Sequence, residues 1–376
     1  MKLTVTIARY LTGILFIFSG LVKAIDPRGL AYKMQEFFEA WAHSGFMKGL
    51  LAELGNHALG FSIFMITLEV AVGLALLLGW QKKLVSWTLF ALILFFTFLT
   101  SYVLFSGKIK ACGCFGDCIP LTPIQTFTKD IILLLLALII LFNQKYIMPV
   151  ARPVVLATIV FLATLATLGL QFYVMKYLPI TDCLPFKKGN DILELRKMPT
   201  GAIPDKYSMI FVYQKNGEKK EFTADALPDS SWEFVDRQQK LVEAGKNNVP
   251  LINDFTLTTA NGEDSTDAVL NQPGVYYLLF IKDLQALPNG FEKDKLLAAE
   301  AIKKGFPFYV VTAQRELVAN RYPAGMKNGR AVNISIFTCD ATSIKTAARA
   351  DMVLYKMKGP VVQEKWGWGS FGKVTF

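Results

Sequence analysis

Five apolar runs lie at roughly Leu3–Ile25, Gly60–Trp80, Leu84–Phe105, Phe127–Phe142 and Val154–Val174. Each is close to the ~20 residues that a helix needs to cross a bilayer. Backbone in hydrocarbon must satisfy its own hydrogen bonds, so each run is expected as a helix. The fourth is short and is expected to begin at Thr126. The first follows Lys2, and no small-x-small cleavage pattern comes after it. Lys23 and Asp26-Pro27 stand there instead, so it reads as a retained span rather than a removed leader. Hydrophobic residues make up 53% of the 376, and the excess is confined to the first half. That unevenness separates a membrane protein from an apolar soluble one.

Charge narrows the partners. The net charge is +10, with 13 Lys/Arg against 7 Asp/Glu in residues 1–175 and 27 against 23 in the rest. No basic tract with interleaved aromatics occurs, so nucleic acid is not an expected partner. Basic residues bordering apolar runs suit lipid headgroups, and the bilayer is the expected contact. They do not orient the chain: six basic residues flank one side and seven the other.

Between the first two runs, Leu30, Met34, Phe37, Phe38 and Trp41 recur at helical spacing. Phe46, Leu50, Leu51 and Leu54 do nearly the same. Two short amphipathic helices capping the bundle are expected, with packing favoured over a binding role. After Tyr177 the pattern changes to strands and turns. Ser208–Thr223 alternates around Asn216-Gly217 as a hairpin, and a further strand is expected over Ser231–Val242. From Val249 the expected order is a hairpin at 254–264, strand Val275–Ile281, helix Phe291–Lys304, strand Phe306–Thr312, strand Ile334–Thr338 and helix Ser343–Arg349. Strands Met352–Lys356 and Val361–Lys365 close it. The expected fold class is a transmembrane helical bundle (1–175), a β-rich connecting segment (176–248) and an α/β layer (249–376).

Five cysteines occur, three of them in Cys112-Gly113-Cys114-Phe115-Gly116-Asp117-Cys118 between the third and fourth runs. Cys183 follows the fifth run, and Cys339 reads as a small buried thiol. Four loop cysteines on one face would allow three pairings, and spacing does not choose among them. A Cys112–Cys114 bridge would be strained and easily reduced, while Cys114–Cys118 would be less so. Lys108 and Lys110 could favour a thiolate. Redox exchange and fixed structural bridges weigh about equally. A metal site stands well behind, because the spacing is not that of a zinc knuckle and His43 and His57 read as surface residues.

Glu69 falls mid-span and must be paired, protonated or functional. Arg9 lies about 8 Å from the middle of the first run at 1.5 Å per residue, and its side chain is long enough to seek Glu69. A structural Arg9–Glu69 pair is favoured over a proton or quinone site. Lys23 is expected to snorkel outward, and Asp130 to sit at a helix N-terminus. No cofactor is assigned; a quinone is the candidate at Glu69.

Two stretches carry family likenesses. Arg9…Gly13…Phe16-Ile17-Phe18-Ser19-Gly20-Leu21-Val22-Lys23, then Glu69 with Gly73 and Gly79, then Cys112-Gly113-Cys114-Phe115-Gly116-Asp117, resemble DoxX/MauE-like bundles. Residues 253–281 and 334–366 resemble the opening and closing halves of a thioredoxin-like domain of the TlpA/peroxiredoxin type. Where that fold carries its nucleophile, Lys282–Pro288 has no cysteine; where it carries a cis-proline, Ala350-Asp351 stands. The tail therefore resembles a degenerate thioredoxin-like domain. The resemblance implies a multi-pass inner-membrane protein with the loop and tail in the periplasm. It implies periplasmic thiol–disulfide or electron-transfer chemistry through Cys112, Cys114, Cys118 and Cys183, with a periplasmic protein partner. The rival class is a non-catalytic, membrane-anchored scaffold whose tail binds a protein. Oligomeric state, substrate and electron acceptor are not legible.

Overall fold

The computed structural model describes the chain except residues 44, 46, 110, 111, 114, 216, 244, 323, 324, 328, 329 and 333. At 241, 325–327 and 330–332 it describes the backbone only. Phe46, Lys110, Cys114 and Asn216 of the sequence reading thus lie outside the described residues.

The apolar runs form α1 (Lys2–Ala24), α4 (Ala58–Leu78), α5 (Lys82–Ser106), α6 (Pro123–Phe142) and α7 (Pro153–Tyr177), with α2 (Pro27–His43) and α3 (Lys48–Asn56) inserted after α1. Among the described residues, five helices are long and apolar enough to span a membrane. α6 begins at Pro123, not Thr126. Thr122 accepts from the Gln125 N–H while the Gln125 side chain accepts from the Thr122 N–H, and Pro123 suits the first helical position.

α1 and α4 pack most intimately. A Cβ on Gly20 would come within 2.5 Å of Val70, one on Gly13 within 2.5 Å of Leu77, and one on Gly73 within 2.9 Å of Phe16. Without lipid-excluding hydrophobic force, such small-residue contacts let two backbones approach and gain dispersion energy. Leu30, Met34, Phe37 and Phe38 of α2 turn into the bundle against Leu99, Val103 and Cys112. Trp41 meets Phe37, Phe38 and Tyr102 edge-on or tilted at about 6 Å. α2 is a cap on the bundle, as its periodicity predicts. His43 and His57 are exposed.

Beyond α7 come α8 (Ile192–Arg196) and a three-stranded antiparallel sheet, β1 (Lys206–Lys215), β2 (Glu218–Thr223) and β3 (Glu233–Glu243), ordered β2-β1-β3. Then follow α9 (Thr266–Leu270), β4 (Val275–Ile281), α10 (Lys293–Lys303), β5 (Phe308–Thr312), α11 (Arg315–Arg321), β6 (Gly325–Lys327), β7 (Arg330–Val332), β8 (Ser335–Thr338), α12 (Ala341–Ala347), β9 (Met352–Lys358) and β10 (Val361–Gly367). The main sheet is ordered β10-β9-β4-β5-β8. β4, β5 and β8 run parallel, and β9 is antiparallel to β4 and β10. β4 is central and buried on both faces. Tyr276, Leu278 and Phe280 enter one core with Phe255, Ile344 and Tyr355, while Tyr277, Leu279 and Ile281 enter the other with Leu297, Val310 and Phe371. Phe186 and Ile192 join the first core and Leu178 packs against it, so the chain leaving α7 is already part of the tail.

The expected hairpin over 254–264 is only two bridges, Thr258 to Asp264 and Thr258 to Thr338. Turn chemistry at Asn261-Gly262 outran the strands on either side. α8, α9 and α11 are too short to carry a periodic signal.

Candidate functional site

The cysteine loop joins α5 to α6 on the face of the bundle that also carries α2, α3 and the tail. Cys112 is buried under α2. The loop then turns, the Gly116 N–H donating to the Gly113 carbonyl. Gly113 lies at φ +71° with Lys33 3.2 Å from where a Cβ would be, so only glycine passes there without strain. Phe115 packs on Phe18 and lies under the Lys129 ammonium, 5.1 Å from the ring centroid.

Cys118 is disulfide-bonded to Cys183, across 65 residues of sequence. This excludes the Cys114–Cys118 bridge considered above. The bond ties the membrane loop to the segment that enters the tail's core. Each half-cystine is preceded by an aspartate, and each aspartate is held by a cation of the tail. Arg349 donates to Asp117 at 2.6 Å, and Lys365 to Asp182 at 2.7 Å. Arg349 also pairs through Nε with Asp26 at 2.9 Å, between α1 and α2. Burial raises the Asp26 pKa from its ordinary value, with Arg349 opposing the rise. Burial lowers that of Lys365, with Asp182 opposing the fall.

A second group lies at the ends of β4 and β9. One nitrogen of the Arg28 guanidinium lies 2.8 Å from both oxygens of Asp351, and the Lys282 ammonium lies 3.2 Å away from the same carboxylate. Tyr32 of α2 is ringed by Lys282, Lys345 and Arg349 at 5.9, 5.3 and 5.2 Å from its centroid. The tail therefore docks on α2 through buried ion pairs and cation–π contacts. Beside the disulfide, Lys33, Glu36, Asp117, Cys183, Lys345 and Arg349 border an open cleft of about 530 Å³. Lys108 is exposed; among the described residues, Lys33 of α2 and Lys345 and Arg349 of the tail border the cleft beside the disulfide. The sequence reading gives Arg349, Lys365, Asp26 and Asp351 no part in the site. The Asp-Cys pairs at 117–118 and 182–183 were the available signal.

The intramembrane charges are arranged differently from expectation. Glu69 pairs with Lys23 at 2.6 Å, both nearly inaccessible, and not with Arg9. Lys23 does not snorkel. Its ammonium also lies 4.7 Å from the Phe96 ring centroid. Arg9 instead donates to the carbonyls of Leu76, Leu77 and Met148, capping the C-terminus of α4. Asp130 is not at a helix start. It lies in the second turn of α6, buried, accepting from Thr100 at 3.0 Å and pairing with Lys129. Lys23, Glu69, Lys129 and Asp130 line a cavity closed by Phe115 that has about 20 Å³ of free space. That is room for about one water. A quinone ring does not fit it.

These features define a class: a multi-pass membrane protein whose extramembrane α/β tail is clasped to a cysteine loop. Residues 1–143 match the family model described as Methylamine utilisation protein MauE, and residues 207–244 match a domain of unknown function (DUF8463). The chain is 33% identical over 141 residues to Protein TlpB of Flavobacterium psychrophilum, an alignment covering 35% of this chain and 38% of that protein. The chain thus spans well under half the length of that relative. No solved structure matches. The membrane region is similar to MauE, and the tail lies outside that likeness.

Proposed function

We propose that this protein exchanges disulfides with a protein partner through Cys118–Cys183, on the membrane face that carries its tail. The observation that carries this reading is placement. The bond borders an open cleft, and its two half-cystines belong to different parts of the molecule, held in register by Arg349 and Lys365. A thiolate of a partner dithiol attacks one sulfur of the bond, and the other sulfur leaves as a thiolate and takes up a proton. The partner's second thiol then closes its own disulfide and releases both cysteines reduced, so two electrons pass to this protein. A disulfide-bearing protein oxidant re-forms the bond by the reverse steps. Cys112 and Cys114 are candidates for a relay on the same loop.

The tail is read as a thioredoxin-like domain without its own thiol. In support, the sheet β10-β9-β4-β5-β8 has a parallel core and an antiparallel closing hairpin. Lys282 and Asp351, standing where the nucleophile and proline of that fold would be, are spent on docking to α2. The proposed domains are 1–175, 176–248 and 249–376, the membrane is the inner membrane, and the tail's side is the periplasm, which permits the disulfide. A scaffold reading has one observation in its favour. The β1–β3 sheet exposes Tyr207, Phe234 and Val235, a surface that a protein partner could cover.

Trapping separates the two. Cys118→Ser or Cys183→Ser should accumulate in membranes and one of them should capture a partner as a mixed disulfide on non-reducing gels. Loss of both proteins from the membrane, with no adduct, would instead mark a structural staple.

A further inference from the structure

A second cavity, of about 540 Å³, lies between the tail and the membrane ends of the helices. It is within the ~300–1,000 Å³ usual for ligand sites. Its polar wall is Arg28 of α2, Lys176 at the end of α7, Lys282 after β4 and Trp368 after β10. Leu59, Phe172 and Met175, from the start of α4 and the last turns of α7, form its apolar side. Phe172 is 59% exposed in the absence of lipid. Those positions put the cavity at the depth of the headgroups, with its apolar side towards the acyl chains.

Arg28 Nε and Trp368 Nε1 are buried without an acceptor among the described residues, and neither atom is open to the cavity. Arg28 is 6% exposed and donates to Asp351, which Lys282 already shares. Lys176 stands over the Trp368 ring, 5.0 Å from its centroid. Against Arg28, Lys176 and Lys282 the wall sets Asp283 and Asp351, leaving a net positive charge. A cavity at headgroup depth with an excess of positive charge suits an anionic group. A phosphate diester answers that description, and the apolar side specifies one that carries acyl chains.

We infer that this cavity binds the phosphate of an anionic phospholipid, which holds the tail against the membrane. The inference is independent of any thiol chemistry. It extends to a bound lipid what the ion pairs around Tyr32 do within the chain.

The test uses the full-length protein, delipidated and placed in phosphatidylcholine nanodiscs, with phosphatidylglycerol added and retained lipid counted by native mass spectrometry. Soluble glycerol phosphate serves as the water-borne source of the same group. The wild type should retain phosphatidylglycerol over phosphatidylcholine, and glycerol phosphate should not displace it. Lys176→Gln, which removes one cation of the wall, should weaken retention about fivefold, as loss of about 1 kcal/mol of attraction does. Lys176→Glu, which reverses that charge, should weaken it further. Lys83→Gln, at the opposite membrane end, should leave retention unchanged. Three results would overturn the inference: equal retention of both lipids, displacement by glycerol phosphate, or equal weakening by Lys83→Gln.

Discussion

Replacing Glu69 by glutamine tests the membrane interior most sharply. The side chain keeps its size, but the Lys23 ammonium loses its counter-charge 2.6 Å away while remaining nearly inaccessible. Breaking a buried pair from one side costs about 3–5 kcal/mol, because the surviving charge is left unsolvated. The glutamine oxygen can still accept one hydrogen bond, and the Phe96 ring at 4.7 Å gives the cation some residual stabilisation. The loss should therefore lie near the lower figure, about 3 kcal/mol. Lys23→Met alone should cost a similar amount, and Glu69→Gln with Lys23→Met should recover about a third of the sum, a coupling of roughly 2 kcal/mol. Arg9→Leu should cost about 1.5–3 kcal/mol through the lost carbonyl partners of α4, and should add to Glu69→Gln without coupling. Equilibrium unfolding in mixed micelles measures all five single and double variants. Coupling between Glu69 and Arg9, with none between Glu69 and Lys23, would refute the pairing and the helix register behind it.

Other outcomes follow from the docking face and the buried thiol. Arg349→Met should loosen the tail, raising hydrogen exchange over residues 178–191, because Asp26 and Asp117 both lose their cation. The defect should be milder at mildly acidic pH than at neutral pH. Asp26 already titrates above its ordinary value when folded, so the folded state gains protons, and stability, as pH falls through that range. Cys339 is buried and its thiol is pushed up to about 11, so alkylation at neutral pH should reach it only after unfolding. Removing the Cys118–Cys183 bond closes no loop of 65 residues in the unfolded chain, so the serine double variant should lose about 2–4 kcal/mol under oxidising conditions and nothing under strong reduction.

Much of the architecture is legible in the sequence, and what is not has a common cause. Apolar run length locates all five spans to within a few residues, and helical spacing finds α2 and α3, because each signal is local. Register between helices is not local. Depth counted from the end of each run treats α1 and α4 as level, which sends Arg9 towards Glu69. The contacts Gly20 to Val70 and Gly13 to Leu77 set α4 further out instead. That offset brings Lys23 to Glu69 and carries Arg9 to the carbonyl end of α4. The pairing of Cys118 with Cys183 is likewise set by tertiary docking. The aspartates beside both cysteines advertise a cation, but only the folded tail supplies Arg349 and Lys365. Short elements such as α8 and α11 leave no period to read, and the unsupported hairpin at 254–264 records a turn without strands.

The central claim is that Cys118–Cys183 is an exchanging bond. Its redox equilibrium in native membranes measures this directly, by incubation in graded glutathione or dithiothreitol buffers followed by thiol trapping and a mass-shift readout. An exchanging bond should titrate between about −120 and −270 mV, the range of catalytic disulfides, and should respond to Arg349→Met by becoming easier to reduce. A bond that stays oxidised below about −300 mV, and is unmoved by Arg349→Met, would be a fixed staple and would contradict the account.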